Sequence, residues 1–388
     1  MPSWLEPCAA AAVPLLIWLY LALFRGGFWR PRTLPPPAAI AVRARVAAIV
    51  PARNEAEHIA RAVQSLLAQR FQGELRVFVV DDGSTDGTAG AARTAAEAVG
   101  ASERLTVLSG APLPPGWTGK LWAMSQGVQA AAAWQPDYLL FTDADIAHAP
   151  DGVAALVSQA VITGRDLVSV MVQLSSATWA ERCLIPAFVF FFFKLYPPRW
   201  IAAADARTAG AAGGCMLVRP AALERAGGLA AIRGRIIDDC ALAGLLKRAG
   251  GSLWLGLSDT TSSLRVYGRF ADIGAMISRT AFHQLRHSWL LLAGSLAGLL
   301  VTYVVPPLLL LTGEPLCMAL GAAAWAVMTL CYLPLVRFYR LPSAYALLLP
   351  CVALFYAAAT LHSAIRYARG RGGEWKGRAQ DVRRSETG

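Results

Sequence analysis

Three long apolar runs close the chain, Leu290 to Leu311, Leu316 to Val336 and Ala344 to Ile365, separated only by "TGEP" and "RFYRLPS". Each is long enough to cross the hydrocarbon core of a bilayer as a helix. The whole chain agrees: 56% of its 388 residues are hydrophobic, and the mean hydropathy of +0.45 is too high for two or three soluble domains of that length. Part of the chain belongs in lipid. A further run, Ala9 to Phe24, is at the short end of what spans. No basic residue precedes it, no small-residue cleavage site follows, and Arg25, Arg30 and Arg32 come next, which points to an uncleaved anchor with residue 25 onward in the cytoplasm. The Pro-rich "RPRTLPPPAA" then reads as a stiff linker. Counting basic residues places the first loop outside and the second, with Arg337 and Arg340, inside. Three full spans would put Arg366, Arg369, Arg371 and Lys376 outside, so either one run re-enters at Pro306-Pro307 or Pro350, or the tail is an exception.

The formal net charge of +11 would suit a nucleic-acid partner, but charged residues make up only 16% and form no basic stripe interleaved with aromatics. An anionic membrane surface is the better-supported partner, and no nucleic acid is expected. The seven cysteines are odd in number, scattered and without a CxxC pair, against both a disulfide framework and a zinc site. His283 and His287 have a helical ligand spacing but no acidic residue between them, so a polar helix face is expected there.

From about Arg45 to Leu257, short apolar strands alternate with helical patterns, the signature of an α/β domain with a mostly parallel sheet. "RVAAIV" leads to a helix near Ala56 to Ala68, "LRVFVV" to one after Asp86, and "DYLLFTDAD" to one after Pro150. In such sheets, ligands bind beyond the carboxyl ends of the strands. Two of those ends carry paired acids. "VFVVDDGSTDG" places Asp81 and Asp82 directly after apolar residues; a structural turn needs one acidic cap, and the second adds repulsion that a bound ribose hydroxyl, base N–H or metal would relieve. "YLLFTDADI" has Asp143 and Asp145 two residues apart, on one side if the backbone is extended. With a diphosphate they would make an oxygen-ligand site suited to Mg²⁺ or Mn²⁺.

A third pair, Asp238-Asp239, starts the helix of "IDDCALAGLLKRAGG", where ordinary capping of the helix dipole is a competing explanation. "GWTGK" is not a phosphate-binding P-loop: two residues separate its glycines instead of four, and Leu121 follows the lysine.

Taken jointly, "VPARNEAEHI", "VVDDGSTDGT", "FTDADI", "GGCMLV" and "IDDCALA" resemble, in order and spacing, the family-two glycosyltransferases. The resemblance implies an α/β GT-A catalytic domain, Rossmann-like with a mostly parallel sheet, joined here to α-helical transmembrane segments. "GWTGKLWAMSQG", "LWLGL" and "RTAFHQLRHSW" look like the hopanoid-associated, membrane-bound glycosyltransferases of bacteria. That implies the bacterial inner membrane, with the catalytic domain facing the cytoplasm. By the same resemblance, Pro51, Arg53 and Glu55 would wall the nucleotide, with Asp81 and Asp82 at the nucleoside. Lys120 would lie near the donor phosphates, Asp143 and Asp145 would serve the diphosphate and a divalent cation, and Asp239, next to Asp238, would be the general base. Processive synthases of this family carry Q-x-x-R-W; here Gln284, Arg286 and Trp289 are spaced differently, which favours transfer of a single sugar.

"CLIPAFVFFFFKLYPPRW" (Cys183 to Trp200) is proline-broken and flanked by Lys194 and Arg199; it suits the membrane interface, with a buried core helix as the alternative. "RFADIGAMISRTAFHQLRHSW" mixes Ile273, Met276, Ile277, Phe282 and Leu285 with Arg269, Arg279 and Arg286, the composition of an interfacial helix. The expected organisation is an anchor and linker over 1–35, the glycosyltransferase domain over 36–260, an interfacial region over 261–288, transmembrane helices over 289–366 and a basic tail over 367–388. The expected activity is an inverting, metal-dependent transfer of one sugar from a nucleotide-sugar, UDP-linked, to a membrane lipid, a hopanoid in the nearer subgroup. A polyprenyl-phosphate sugar transferase and a non-catalytic scaffold that binds nucleotide-sugar are the alternatives.

Overall fold

The computed structural model describes residues 5–38, 42–369, 374–375 and 378–379. Arg371, Lys376 and most of the tail expected over 367–388 lie outside them. Two compact units are present: one holds Arg32–Ser175 and Trp200–Arg265, the other Met1–Pro31, Ser176–Arg199 and Val266–Gly372.

The first unit is built on an eight-stranded sheet. Its strands are β1 (Arg45–Ala52), β2 (Glu74–Asp81), β3 (Leu105–Ser109), β4 (Tyr138–Thr142), β5 (Ile146–His148), β6 (Leu167–Gln173), β7 (Cys215–Val218) and β8 (Leu253–Ser263). Their spatial order is β3-β2-β1-β4-β7-β6-β8-β5. Strands β3, β2, β1 and β4 run parallel, as does β6 with β8. β7 enters antiparallel between β4 and β6, and β5 lies antiparallel on β8. The parallel half follows the strand–helix alternation of the sequence; β7 and β5 are too short for their direction to be read from periodicity.

The central strands are apolar almost throughout because helices cover both faces. β4 is buried along its whole length and β1 from Val46 to Ala52. The helix Ile59–Leu67 lays Ile59, Val63 and Leu66 into the core that holds Val46, Val50 and Val79. Helix Gly119–Ala132 approaches β1 at Gly127, where a Cβ would lie 2.5 Å from Ile49 Cγ2. Only glycine permits that approach, which brings the start of the helix, with Lys120, to the carboxyl edge of the sheet.

The helical unit contains Leu5–Phe24 and three helices long and apolar enough to cross a membrane: Trp289–Leu309, Pro315–Phe338 and Ser343–Ala368. Pro306-Pro307 does not break the first of these. Pro306 lacks the N–H that would bond the Thr302 carbonyl; the chain widens to a π-turn over Leu300–Val304, and Trp18 Nε1 donates to Thr302 O at 2.7 Å instead. Pro350 sits where the 3₁₀ turns of Ser343–Leu348 pass into the α-helix Leu349–Ala368, in the first α-turn, a position that tolerates proline, and the helix is not broken there.

The phenylalanines of the Phe-rich stretch lie in one helix, Trp179–Leu195, and Pro198 starts a second, Pro198–Ala202; the first is opened by a capping box in which Thr178 Oγ1 accepts from Glu181 N and Glu181 accepts from Thr178 N. Phe190 and Phe193 are buried, and Phe190 packs on Phe28 and Tyr332. The core-helix alternative therefore describes this face. In the following stretch, Ile273, Ile277 and Phe282 are buried, with Ser278 Oγ donating to Ala359 O and Phe282 N to Ser363 Oγ. Helix Ala281–Gln284 ends before His287, so the two histidines do not share a helix face; their rings meet edge-on, with centroids 5.0 Å apart.

Candidate active site

The exits of β1 and β2 are laced together by short polar side chains. Asn54 adopts a left-handed φ of 50°, which asparagine tolerates. Its Oδ1 accepts from Thr85 N at 2.9 Å, and its own N–H donates to Ser84 Oγ at 2.9 Å. Glu55 N donates to Thr88 Oγ1 at 2.9 Å and Ala56 N to Asp86 Oδ2 at 3.0 Å. Ser84, Thr85, Asp86 and Thr88 of "DDGSTDGT" thus fix the loop that carries Arg53 and Glu55.

The repulsion expected between Asp81 and Asp82 is relieved within the protein. Asp81 Oδ1 accepts from Ser84 N at 2.9 Å. Asp82, buried, has Arg53 Nη1 3.7 Å from its Oδ2, and the same nitrogen donates to its carbonyl. Two adjacent carboxylates at this strand end therefore do not by themselves require a ligand. Pro51 is buried inside β1, paired in register with Val80, and offers no polar side-chain atom.

The geometry of the second pair also differs from expectation. β4 ends at Thr142, and Asp143 to Asp145 form a turn, with Ile146 N donating to Asp143 O at 3.2 Å. The two carboxylates are not held by strand alternation, and each meets its own cation. Lys120 Nζ lies 2.8 Å from Asp143 Oδ1 and 3.2 Å from Asp238 Oδ2. Arg265 Nε lies 2.8 Å from Asp145 Oδ2, and its Nη2 is 3.1 Å from both Glu55 oxygens. Glu55, Asp143, Asp145 and Asp238 are thus gathered around two cations, together with Asp239.

Asp239 follows Asp238 at the start of helix Asp238–Arg248. Its Oδ2 accepts from Gly213 N at 2.9 Å and its Oδ1 from Cys240 N at 2.7 Å. A Cβ on Gly213 would lie 3.2 Å from Asp239 Oδ2 and 3.5 Å from Lys120 Nζ, so the first glycine of "GGCMLV" leaves room for carboxylate and ammonium together. Gly214 O accepts from Thr142 Oγ1 at 3.0 Å. That leaves Thr142 Oγ1 to accept from His148 Nε2 at 3.1 Å, which puts the imidazole proton on Nε2. Burial pushes His148 down to about 4, so it is neutral at this joint. His148, Thr142 and Gly214 therefore tie the end of β4 to the strand that positions Asp239.

Burial disfavours the charge on Lys120, but Asp143, Asp238 and Asp239 overcome it and hold the ammonium well above its ordinary value. Burial raises Asp143 despite Lys120. Burial, with the charge of Asp238, raises Asp239 to about 6, against the opposing pull of Lys120 and the two backbone N–H groups.

Among the described residues, no group of three or more His, Cys, Asp or Glu side chains could hold a metal ion unaided. Asp143 and Asp145 nonetheless offer carboxylate oxygens, the donor chemistry of Mg²⁺ and Mn²⁺, two ions that usually keep waters and take further ligands from substrate phosphates. The residues fit a cation that is completed by a bound diphosphate. Sequence reasoning did not find Arg265 or Gly213: Arg265 is a lone arginine after a strand, and the tightness at Gly213 depends on a helix that begins 25 residues later.

Residues 47–227 match the family model described as Glycosyl transferase family 2. No curated protein sequence is significantly similar to the chain. Among solved structures, the chain is similar to a mannosyltransferase, PcManGT, from Pyrobaculum calidifontis in complex with GDP-mannose and Mn²⁺. Identity is 20%, the TM-score is 0.56, and the match covers 94% of this chain and 99% of that one. Weaker likenesses include Staphylococcus aureus TarS 1–349 in complex with UDP-GlcNAc, at 14% identity, TM-score 0.37, and 86% and 95% coverage. Glucosyl-3-phosphoglycerate synthase from Mycobacterium tuberculosis, in complex with Mn²⁺, UDP and glucosyl-3-phosphoglycerate, matches at 20% identity, TM-score 0.36, and 60% and 76% coverage. Over residues 47–227 the chain carries a family 2 glycosyltransferase domain on a Rossmann-like GT-A fold, which makes the protein a glycosyltransferase.

Proposed function

We propose that the protein is an inverting, metal-dependent glycosyltransferase that moves a single sugar from a nucleotide-sugar, UDP-linked, to a membrane lipid, a hopanoid or related polycyclic isoprenoid. The observation that carries this reading is the gathering of Glu55, Asp143, Asp145, Asp238 and Asp239 with Lys120 and Arg265 at the carboxyl edge of the sheet. The proposed boundaries start from those of the sequence, 36–260 for the catalytic domain, 261–288 for the interfacial region and 289–366 for the helices, with the catalytic domain extended to Arg265 because β8 runs to Ser263 and Arg265 lies in the site. The three long apolar helices support a lipid acceptor, and the net charge of +11 supports an anionic membrane surface as partner. We place the protein in the bacterial inner membrane with the catalytic domain facing the cytoplasm.

Arg53, Glu55, Asp81 and Asp82 would line the nucleoside side, on loops that their own side chains hold rigid. Asp143 and Asp145 would hold a divalent cation, Mg²⁺ or Mn²⁺, whose chemistry is to neutralise charge on the leaving diphosphate. Lys120 supplies a fixed positive charge beside the same phosphates. Asp239, immobilised by Gly213 N and Cys240 N, takes the proton from the acceptor hydroxyl as that oxygen attacks the anomeric carbon. Attack from the face opposite the diphosphate inverts the centre. Asp238 keeps Lys120 next to Asp143 rather than accepting the proton.

The test is lipid-phase labelling. Full-length protein in nanodiscs is given Mn²⁺, radiolabelled UDP- and GDP-sugars in turn, and a lipid extract from a hopanoid-producing bacterium; GDP-mannose belongs in the panel because the similar mannosyltransferase binds it. A labelled lipid, lost with chelator and with Asp145→Ala, is expected. Label on a polyprenyl phosphate that survives Asp239→Asn would replace the hydroxyl acceptor, since an ionised phosphate needs no base. Donor binding without any labelled lipid would contradict the enzyme reading and support the scaffold.

A further inference from the structure

Arg265 lies just beyond β8 and has no part in the roles proposed above, yet its guanidinium joins two of the acidic groups at the donor edge. Nε is 2.8 Å from Asp145 Oδ2, and Nη2 is 3.1 Å from both oxygens of Glu55. The backbone is tied to the same place: Leu264 N donates to Asp145 O at 2.7 Å, and Arg265 N to Ser263 Oγ at 3.2 Å. The arginine is therefore anchored next to the carboxylate with which it pairs. Its side chain is 31% exposed, against 17% for Lys120, so it has more room to reorient.

A divalent cation held by Asp145 would bind a carboxylate oxygen directly. With the guanidinium already at hydrogen-bond distance from Oδ2, two positive groups would compete for one carboxylate. A planar guanidinium also matches the oxygens of a phosphate in two parallel hydrogen bonds, so an arriving diphosphate offers it another partner of the same geometry.

We infer that Arg265 is a gate on the cation site: it competes with the divalent cation for Asp145 and gives way when a nucleoside diphosphate takes its guanidinium, so that cation and diphosphate bind with positive coupling. This inference rests on the proposed role of Asp145 as the cation-holding carboxylate. Because coupling is reciprocal, removing the gate should tighten cation binding in the absence of nucleotide and weaken the nucleotide's further effect.

The experiment is a Mn²⁺ titration of the purified full chain, reading free aquo-Mn²⁺ by electron paramagnetic resonance, with and without UDP or GDP. It uses the unmodified protein, Arg265→Gln, Arg265→Lys and Asp145→Asn, each checked for folding by thermal unfolding. Arg265→Gln is expected to bind Mn²⁺ without nucleotide roughly tenfold more tightly than the unmodified protein, with the nucleotide-induced gain reduced by a similar factor. Arg265→Lys, whose compact ammonium cannot bridge both carboxylates, is expected to fall between the two and serves if the glutamine variant does not fold. Asp145→Asn should abolish the site in every background. Unchanged or weaker Mn²⁺ binding in Arg265→Gln or Arg265→Lys, with Asp145→Asn still abolishing it, would overturn the gate and leave the cation site standing. Unaltered Mn²⁺ binding in Asp145→Asn would overturn the cation assignment, and the gate with it.

Discussion

The two cations at the carboxyl edge of the sheet are held differently. Lys120 is largely buried and shared between Asp143 and Asp238, with Asp239 close enough to act on it electrostatically. Arg265 is nearly twice as exposed and spreads a rigid fork over Glu55 and Asp145. An ammonium is a compact point charge that several carboxylates can share; a guanidinium fixes directions and can exchange one carboxylate for a phosphate of similar shape. The comparison suggests a permanent charge on one side of the "DAD" turn and a replaceable one on the other.

The largest effect is expected at Asp239, the carboxylate that neither cation pairs with directly. Asp239→Asn should lower sugar transfer by roughly 10²–10⁴-fold, the usual contribution of a general base, with little change in donor KM; steady-state rates at saturating donor check it. Lys120→Ala should cost roughly 10²–10³-fold in kcat, the scale of losing one preorganised electrostatic contact to a leaving group. If Lys120→Ala instead raised only the donor KM, the two cations would not differ in the way described.

The pH dependence distinguishes them further. With Asp239 raised to about 6, lowering the pH through that value protonates the proposed base, so the rate should fall about tenfold per unit on the acid side and level off above it. Lys120 lowers this value, so Lys120→Met should move the acid limb to higher pH, while Arg265→Lys should leave its position where it is; rate profiles of the three proteins decide. The smallest effect is expected from Gly213→Ala. Its methyl would press on Asp239 Oδ2 at 3.2 Å, and a displacement of a few tenths of an ångström should cost about tenfold, well below the ~10²-fold of a 1 Å misplacement.

Much of this site is legible in the chain because it depends on local order. Asp82, Asp143, Asp145 and Asp239 sit where apolar strands end or a helix begins, and strand–acid boundaries survive in any single sequence. The long apolar runs, likewise, carry their own signal of length. What the chain concealed depends on distance. The turn at Asp143–Asp145 replaces the extended geometry that alternation suggests. Arg265 becomes significant only when β8 brings it beside Asp145, 120 residues earlier in the chain. Asp81 and Asp82 find internal partners in Ser84 N and Arg53, which no count of like charges reveals. The Phe-rich helix could not be separated from an interfacial one by composition, since both demand apolar residues; burial of Phe190 against Phe28 and Tyr332 settles that face.

The most direct test of the account is single-turnover transfer of radiolabelled sugar into the lipid phase, measured side by side for the unmodified protein, Asp239→Asn and Asp238→Asn with donor binding monitored in each. The account predicts that Asp239→Asn binds donor and all but stops transfer, whereas Asp238→Asn transfers at a rate reduced by less. Equal rates for Asp239→Asn and the unmodified protein, with donor binding intact, would contradict the assignment of Asp239 as the base.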